Sequence, residues 1–302
     1  MKQKTFEWSL ERGDLLPLLL MLPTLLVILF IMVVPLVYGL FLSFFSLGFG
    51  GKTTVDSFVG FANYVQFFKD PVALKVTVNT MLFSFGAIAG DLLLGTLVSL
   101  MLLNLRRVAS SIIRPIVTMP LLVSPVVVGL IWRYIYDPKG ILYWFLGKFG
   151  IGFEQFPGVT SASTALLSTI IAHWWQVTPF VIIVLTAGLL SIPKEYYEAA
   201  KIDGAGPCRT FFQITLPQLT NVYVVILLVS GVDTIKIFDI IYALTGGGPN
   251  NSSLSLSIYA YSQAFEQSNL SYSIAISILT MVLTFCIFGI PFIRHNLGKG
   301  NR

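Results

Sequence analysis

Residues 195–217 read EYYEAAKIDGAGPCRTFFQITLP, with apolar runs on both sides. The stretch is longer than a turn and too polar to sit in hydrocarbon, so its reading decides how the chain is organised. Ser191 suits an N-cap and Pro193 a first helical turn. A helix is predicted over 194–202, stopped by Gly204 in the left-handed conformation. Pro207 then opens a second short helix reaching Leu216, and Pro217 precedes the next apolar run. Ala199 and Ala200 present a small-residue surface that allows close approach. Glu198 and Asp203 are charges that need not enter lipid. Residues 191–217 thus form a rigid knob braced by Phe211, Phe212 and Ile214, built for a partner. A surface or re-entrant helix without one is the alternative.

Working outward, the chain has 302 residues, 55% of them hydrophobic and 11% charged. Soluble domains carry about 25% charged residues. With a mean hydropathy of +0.82, this chain is solvated mainly by lipid. Six apolar stretches are long enough to cross about 30 Å of hydrocarbon at 1.5 Å per residue. They lie at roughly 15–44, 74–103, 112–134, 165–190, 219–244 and 272–293 of one all-α polytopic domain covering 1–302. The first run is too long for a signal-peptide core and has no small-residue cleavage site, so it reads as a retained span.

Basic residues orient the spans. With the N-terminus inside, Lys2, Lys4, Arg12, Arg106, Arg107, Arg114, Lys194, Lys201, Arg209, Arg294, Lys299 and Arg302 face the cytoplasm. Lys52, Lys69, Lys75, Arg133, Lys139 and Lys148 do not, and Lys236 falls inside a span. Twelve against six favours cytoplasmic termini and a cytoplasmic 191–217. The net charge of +5 follows from this bias, and no basic run interleaved with aromatics suggests nucleic acid.

Catalytic motifs are missing. GFGGKTT, at 48–54, resembles a phosphate-binding loop, but Ser46 stands where the first glycine belongs and a membrane helix precedes it in place of a strand. Cys208 and Cys286 have no metal-site neighbourhood, and no disulfide is expected. Any ATP used must be bound by another chain.

Polar groups inside spans are expensive and mark cavities or neighbours. In the fourth run, HWWQVTPF places His173, Gln176, Val177 and Phe180 on one helical face, with Pro179 bending the helix. In the fifth, Ser230, Asp233, Thr234 and Ile237 share a face. Lys236 lies three residues from both Asp233 and Asp239, so a structural ion-pair ladder is the competing reading. Trp174 and Trp175 read first as interfacial belt residues. Ser124-Pro125 breaks the third run. Asp91 is a lone carboxylate in the second, suited to packing against another polar group or an inner cavity.

The knob carries a resemblance. Glu198-Ala199-Ala200, Asp203-Gly204-Ala205, Phe211, Ile214 and Leu216-Pro217 are similar in type and spacing to the EAA loop of binding-protein-dependent ABC importer permeases. Ile192-Pro193 leads in as it does there. FDIIYALTGGGP, at 238–249, resembles the block after that loop in the maltose-permease-F-like half of carbohydrate permeases. Some of that half carry two extra N-terminal spans and a large outer domain. This chain resembles the commoner six-span sugar permeases.

The resemblance implies a type I importer permease fold in the bacterial inner membrane and no catalysis by the chain itself. Glu198, Ala199, Ala200, Asp203, Gly204 and Ala205 would form a coupling helix seated in an ATP-binding subunit, Glu198 pairing with a basic residue there. Two such subunits, which bind the ATP and magnesium, a second permease and an extracytoplasmic solute-binding protein would complete the complex. His173, Gln176, Val177, Phe180, Ser230, Asp233 and Thr234 would line a mid-membrane site for a carbohydrate, an oligosaccharide in the first instance, moved by alternating access. The Asp, His and Lys of the spans also suit acidic sugar oligomers, and glycerol phosphate importers share the same loop. An ion-coupled secondary transporter using Asp91 or Asp233 is the rival, and a non-transporting receptor or scaffold the third reading.

Overall fold

The computed structural model describes residues 16–48, 50–51 and 53–294. The basic residues read at 2, 4, 12, 52, 299 and 302 lie outside the described residues. Among the described residues the fold is all-α, with a single isolated bridge between Phe45 and Phe58 and no strand.

Among the described residues four helices are long and apolar enough to cross a membrane: Leu20–Leu42, Pro71–Asn104, Ala165–Leu190 and Leu270–Arg294. Two bent pairs bring the total to six if each is one span. The first span consists of α1 (Leu16–Ile28), a π turn at Leu29–Val33 and α2 (Val34–Leu42). Its side chains point almost entirely outward, touching the rest of the molecule near Gly39 and Ile274. A short α3 (Ala62–Lys69) leads to α4 (Pro71–Asn104), the longest helix. Asp70 caps α4 by accepting a hydrogen bond from the Val72 N–H at 2.8 Å, which satisfies one of the orphan donors at that end.

The third apolar run is not one straight span. α5 (Arg107–Thr118) and the 3₁₀ turn Met119–Leu122 meet α6 (Pro125–Ile135) at 100°. The Ser124-Pro125 break anticipated from the sequence is therefore a sharp reversal. The helix continues no further because proline excludes the α conformation at the residue before it. α7 (Ile141–Gly147) follows, then α8 (Ala165–Leu190), which passes through Pro179.

α9 (Lys194–Ile202), α10 (Pro207–Thr210), a π turn at Phe211–Thr215 and α11 (Leu216–Gln218) make the insert. The insert's second half meets α12 (Thr220–Ile235) at 66°. α12 ends at Ile235, and the chain restarts as α13 (Asp239–Leu244), so the fifth run is also broken. Ser255 Oγ donates to the freed Ile237 carbonyl at 2.8 Å, the rescue that broken backbone in an apolar surround requires. α14 (Leu256–Phe265) and α15 (Leu270–Thr284) close the bundle.

The most extensive helix seam runs between α4 and α8, beside a buried apolar cluster that joins α4 to α14 and α15. Gly86, Gly90 and Gly95 turn towards α8, and a Cβ on Gly90 would lie 2.0 Å from the Trp174 ring. The same ring donates its indole N–H to the Gly86 and Ala87 carbonyls, both at 3.1 Å. Trp174 is therefore a wedge between helices and not an interfacial anchor. Gly90→Ala overpacks a wedge that two hydrogen bonds hold in place, at a cost of about 1–3 kcal/mol. A lower melting temperature of the detergent-solubilised protein is expected. Gly147→Ala, where a Cβ meets nothing within 4 Å, serves as the unaffected control.

Candidate functional site: the helical insert and the polar residues of the spans

The helix of the insert begins and ends where local chemistry dictates. Pro193 occupies the N-cap position and α9 runs over Lys194–Ile202. Ser191 does not cap it. Its Oγ donates to the Gly188 carbonyl at 2.7 Å, closing α8 instead. At the other end Gly204 adopts φ +68°. Its N–H donates to the Lys201 carbonyl (3.1 Å) and that of Ala205 to the Ala200 carbonyl (2.9 Å). That is a Schellman closure.

Successive helical residues turn by about 100°, and the two alanines are divided accordingly. Ala200 is buried against the body of the protein while Ala199 faces outward. Glu198, Asp203 and Gly204 are exposed, Ala205 is half-buried, and Ile202 is 86% exposed. Glu198 makes no hydrogen bond or ion pair among the described residues.

Of the expected brace, Phe211 and Ile214 are half-buried. Phe212 is 64% exposed, whereas Thr215 and Leu219 are buried. The Tyr197 and Thr215 hydroxyls pair at 3.3 Å, tying α9 to the π turn. Beneath lies a cleft of about 530 Å³ bordered by Leu103, Leu189, Tyr197, Lys201 and Phe211, between the insert and the end of α4. The expected second helix, 207–216, is instead helical to Gln218 through the π turn, so Pro217 lies inside it. The Tyr197–Thr215 contact thus links α9 to the segment that runs into α12.

The polar residues of the spans fall into separate groups. His173 Nε2 lies 3.2 Å from Asp91 Oδ2, and Thr178 donates to Asp91 Oδ1 at 3.0 Å. His173 and Asp91 are 3% and 1% exposed. Among the described residues the His173 Nδ1 has no partner. Gln176 donates to the Val123 carbonyl at 2.9 Å, which satisfies backbone exposed by the α5–α6 reversal. Thr234 pairs with Ser84 of α4 at 2.6 Å, and the nearby Ser230 Oγ is buried without a partner. Val177 and Phe180 are half-buried. Asp233 pairs with Lys236 at 2.9 Å, the two side chains 60% and 64% exposed. The seven residues expected to line one site therefore do not form one constellation within this chain. His173, Gln176 and Thr234 are spent on helix packing, and Asp233 faces outward.

At the end of the bundle away from the insert, the sequence reading missed a polar assembly. Asp70 accepts hydrogen bonds from the Tyr272 hydroxyl at 3.0 Å and from the Tyr259 hydroxyl. Burial alone raises the Asp70 pKa, but the bonds from Tyr259, the Val72 N–H and Tyr272 bring it below the usual carboxylate value. Burial, and then the carboxylate, push the Tyr259 phenol up. The only signal in the sequence was the N-cap pattern Asp70-Pro71. Nearby, the Thr245–Ser253 turn is tied to α4 by Asn79 Nδ2 donating to the Asn251 carbonyl at 2.7 Å.

A broken-helix bundle carrying an exposed helical insert defines a polytopic membrane protein with the type I ABC importer permease fold. A family model described as "Binding-protein-dependent transport system inner membrane component" matches residues 91–292, and the chain belongs to that family. It is 30% identical over 279 residues to the probable ABC transporter permease protein YurN of Bacillus subtilis, covering 92% of this chain and 94% of that one. It is 36% identical over 227 residues to the trehalose/maltose transport system permease protein MalF of Thermococcus litoralis, covering 75% and 76%. A crystal structure of a bacterial ABC transporter involved in the import of the acidic polysaccharide alginate shares the fold, with TM-score 0.80 at 21% identity over 95% of this chain and 97% of that one.

Proposed function

We propose that the chain is one permease subunit of an ATP-driven importer that moves a carbohydrate into the cell by alternating access. The observation that carries this reading is the outward face of α9 and its closing turn, where Glu198, Ala199, Ile202, Asp203 and Gly204 are exposed and Glu198 has no partner among the described residues. A charged and apolar tip of this kind, with Glu198 beside Ile202, suits a groove in an ATP-binding subunit. The insert then lies on the cytoplasmic side, as do the termini, in keeping with the distribution of Lys and Arg. ATP and magnesium belong to that subunit. A second permease covers the outward-facing first span and the Asp233–Lys236 pair, and a solute-binding protein docks at the opposite end.

Asp233 is the residue we place on the sugar, with Val177, Phe180 and Ser230 as the other candidates. A charged pair this exposed within a span needs water or polar hydroxyls beside it. His173, Gln176 and Thr234 hold the frame that positions these groups. ATP binding draws the coupling helices together, α12 follows through the π turn, and the path opens to the binding protein. Hydrolysis reverses it.

Reconstitution tests the reading. In proteoliposomes holding this chain with its genomic-neighbour permease, ATPase and binding protein, uptake across a panel of oligosaccharides should require ATP and the binding protein. Uptake by this chain alone under a proton or sodium gradient would overturn it in favour of ion coupling.

A further inference from the structure

At the end of the bundle opposite the insert, four aromatic rings run side by side. Phe238 stacks on Tyr242 with centroids 5.0 Å apart and planes at 17°. Tyr242 meets Tyr261 at 5.8 Å, and Tyr261 meets Phe265 at 4.8 Å. Tyr242 and Tyr261 are 45% and 36% exposed. Tyr242 also borders a cavity of about 550 Å³, within the range of small-molecule sites. That cavity is lined largely by polar groups, among them Asp70, Tyr259, Gln263, Glu266 and Asn269. Among the described residues no Lys, Arg or His borders it.

We infer that this aromatic strip and its cavity form an outer binding site for a neutral glycosyl unit. The inference rests on the carbohydrate reading above and adds where the sugar first lands and what charge it carries. Aromatic faces take the C–H side of a pyranose, while amides and carboxylates take its hydroxyls. Both chemistries meet at Tyr242. Asp70 accepts three hydrogen bonds, from Val72, Tyr259 and Tyr272, and these hold it as a carboxylate. Glu266 is exposed and adds a second negative charge. A uronate or phosphate entering the cavity would meet two carboxylates, while the Lys75 ammonium near the rim is held by the carbonyl of Asn250, next to the lining residue Asn251, at 2.7 Å, an arrangement that selects against anions. The strip also leads inward: Phe238 lies two residues from Lys236, which is paired with Asp233 in the span.

The test uses the assembled complex in nanodiscs, with maltotetraose and tetramannuronate as probes in saturation-transfer NMR. Transfer to maltotetraose is expected in the wild type and not to tetramannuronate. Combining Tyr242→Ala with Tyr261→Ala should weaken it about tenfold, the effect of losing two stacking rings. Tyr242→Trp should retain it. Transfer that is absent in the wild type, unchanged in the double variant, or stronger to tetramannuronate would overturn the site. So would loss of the second permease from the double variant on size-exclusion chromatography, which would make the strip a subunit interface. Uptake across the sugar panel separates the two levels. A wild-type complex that transports no sugar removes the carbohydrate reading and this site with it. A complex that transports sugar but shows unchanged NMR in the double variant removes this site alone.

Discussion

Glu198→Lys should leave the chain in the membrane at wild-type abundance and abolish ATP-driven uptake. Abundance is spared because Glu198 is exposed on α9 and has no partner within the described residues. Surface substitutions of that kind stay within about 0.5 kcal/mol of neutral. Uptake is lost because reversing a charge at an interface replaces attraction by repulsion. Disrupting a buried interfacial charge pair costs about 2–5 kcal/mol, or roughly thirtyfold and more in occupancy of the coupled state. ATPase activity of the complex should then no longer respond to the loaded binding protein. Normal uptake by the variant would remove α9 from the coupling role.

Gly204 supplies the comparison. Its φ of +68° disfavours a side chain, yet a Cβ there meets nothing within 4 Å. Gly204→Ala should therefore cost only the left-handed strain, about 1–2 kcal/mol. Gly204→Asn, which tolerates that conformation, should cost less. If Gly204→Asn uncouples as strongly as Glu198→Lys, the glycine is needed for contact with the partner and not merely to end the helix.

The second large effect concerns the buried pair. Asp91→Ala leaves His173 Nε2 and the Thr178 hydroxyl without their partner at sites at most 7% exposed. Removing one member of a buried pair costs about 3–5 kcal/mol. The melting temperature of the purified protein should fall by about 10 °C, taking a few degrees per kcal/mol. Replacing both partners with apolar groups, Asp91→Leu together with His173→Phe, should recover most of the loss, because apolar replacement of a buried pair is often neutral. Phe83 already lies edge-on to the imidazole at 5.4 Å, so a phenyl ring meets apolar company. The double variant also separates two roles for His173. As a frame residue its loss is tolerated and sugar-stimulated ATPase persists. As a sugar ligand, its loss gives a stable complex that no longer responds to sugar.

Much of the architecture was legible because its determinants are local. Apolar runs of sufficient length mark the spans, since no irregular backbone survives against lipid. The limits of α9 and the left-handed Gly204 follow from Pro193 and from the one residue without a Cβ. The exposure of Glu198, Asp203 and Gly204 was readable for the same reason: charges beside glycine between two apolar runs have nowhere to go but out.

Polar partnership inside the bundle was not readable. Helical spacing groups His173 with Gln176, Val177 and Phe180, but it says nothing about what each side chain meets. His173 meets Asp91 from 82 positions away, and Thr234 meets Ser84 across 150. Asp70 meets Tyr259 and Tyr272 at separations of 189 and 202. The sequence by itself determined which segments are long and apolar enough to span a membrane and where the polar helix between them starts and stops, because hydropathy and capping act within a few residues. The tertiary structure alone decided which polar groups are consumed by packing and which remain open. In an apolar surround an unpaired polar group is costly, so whichever helix packs alongside supplies its partner, and that neighbour is set by the whole fold.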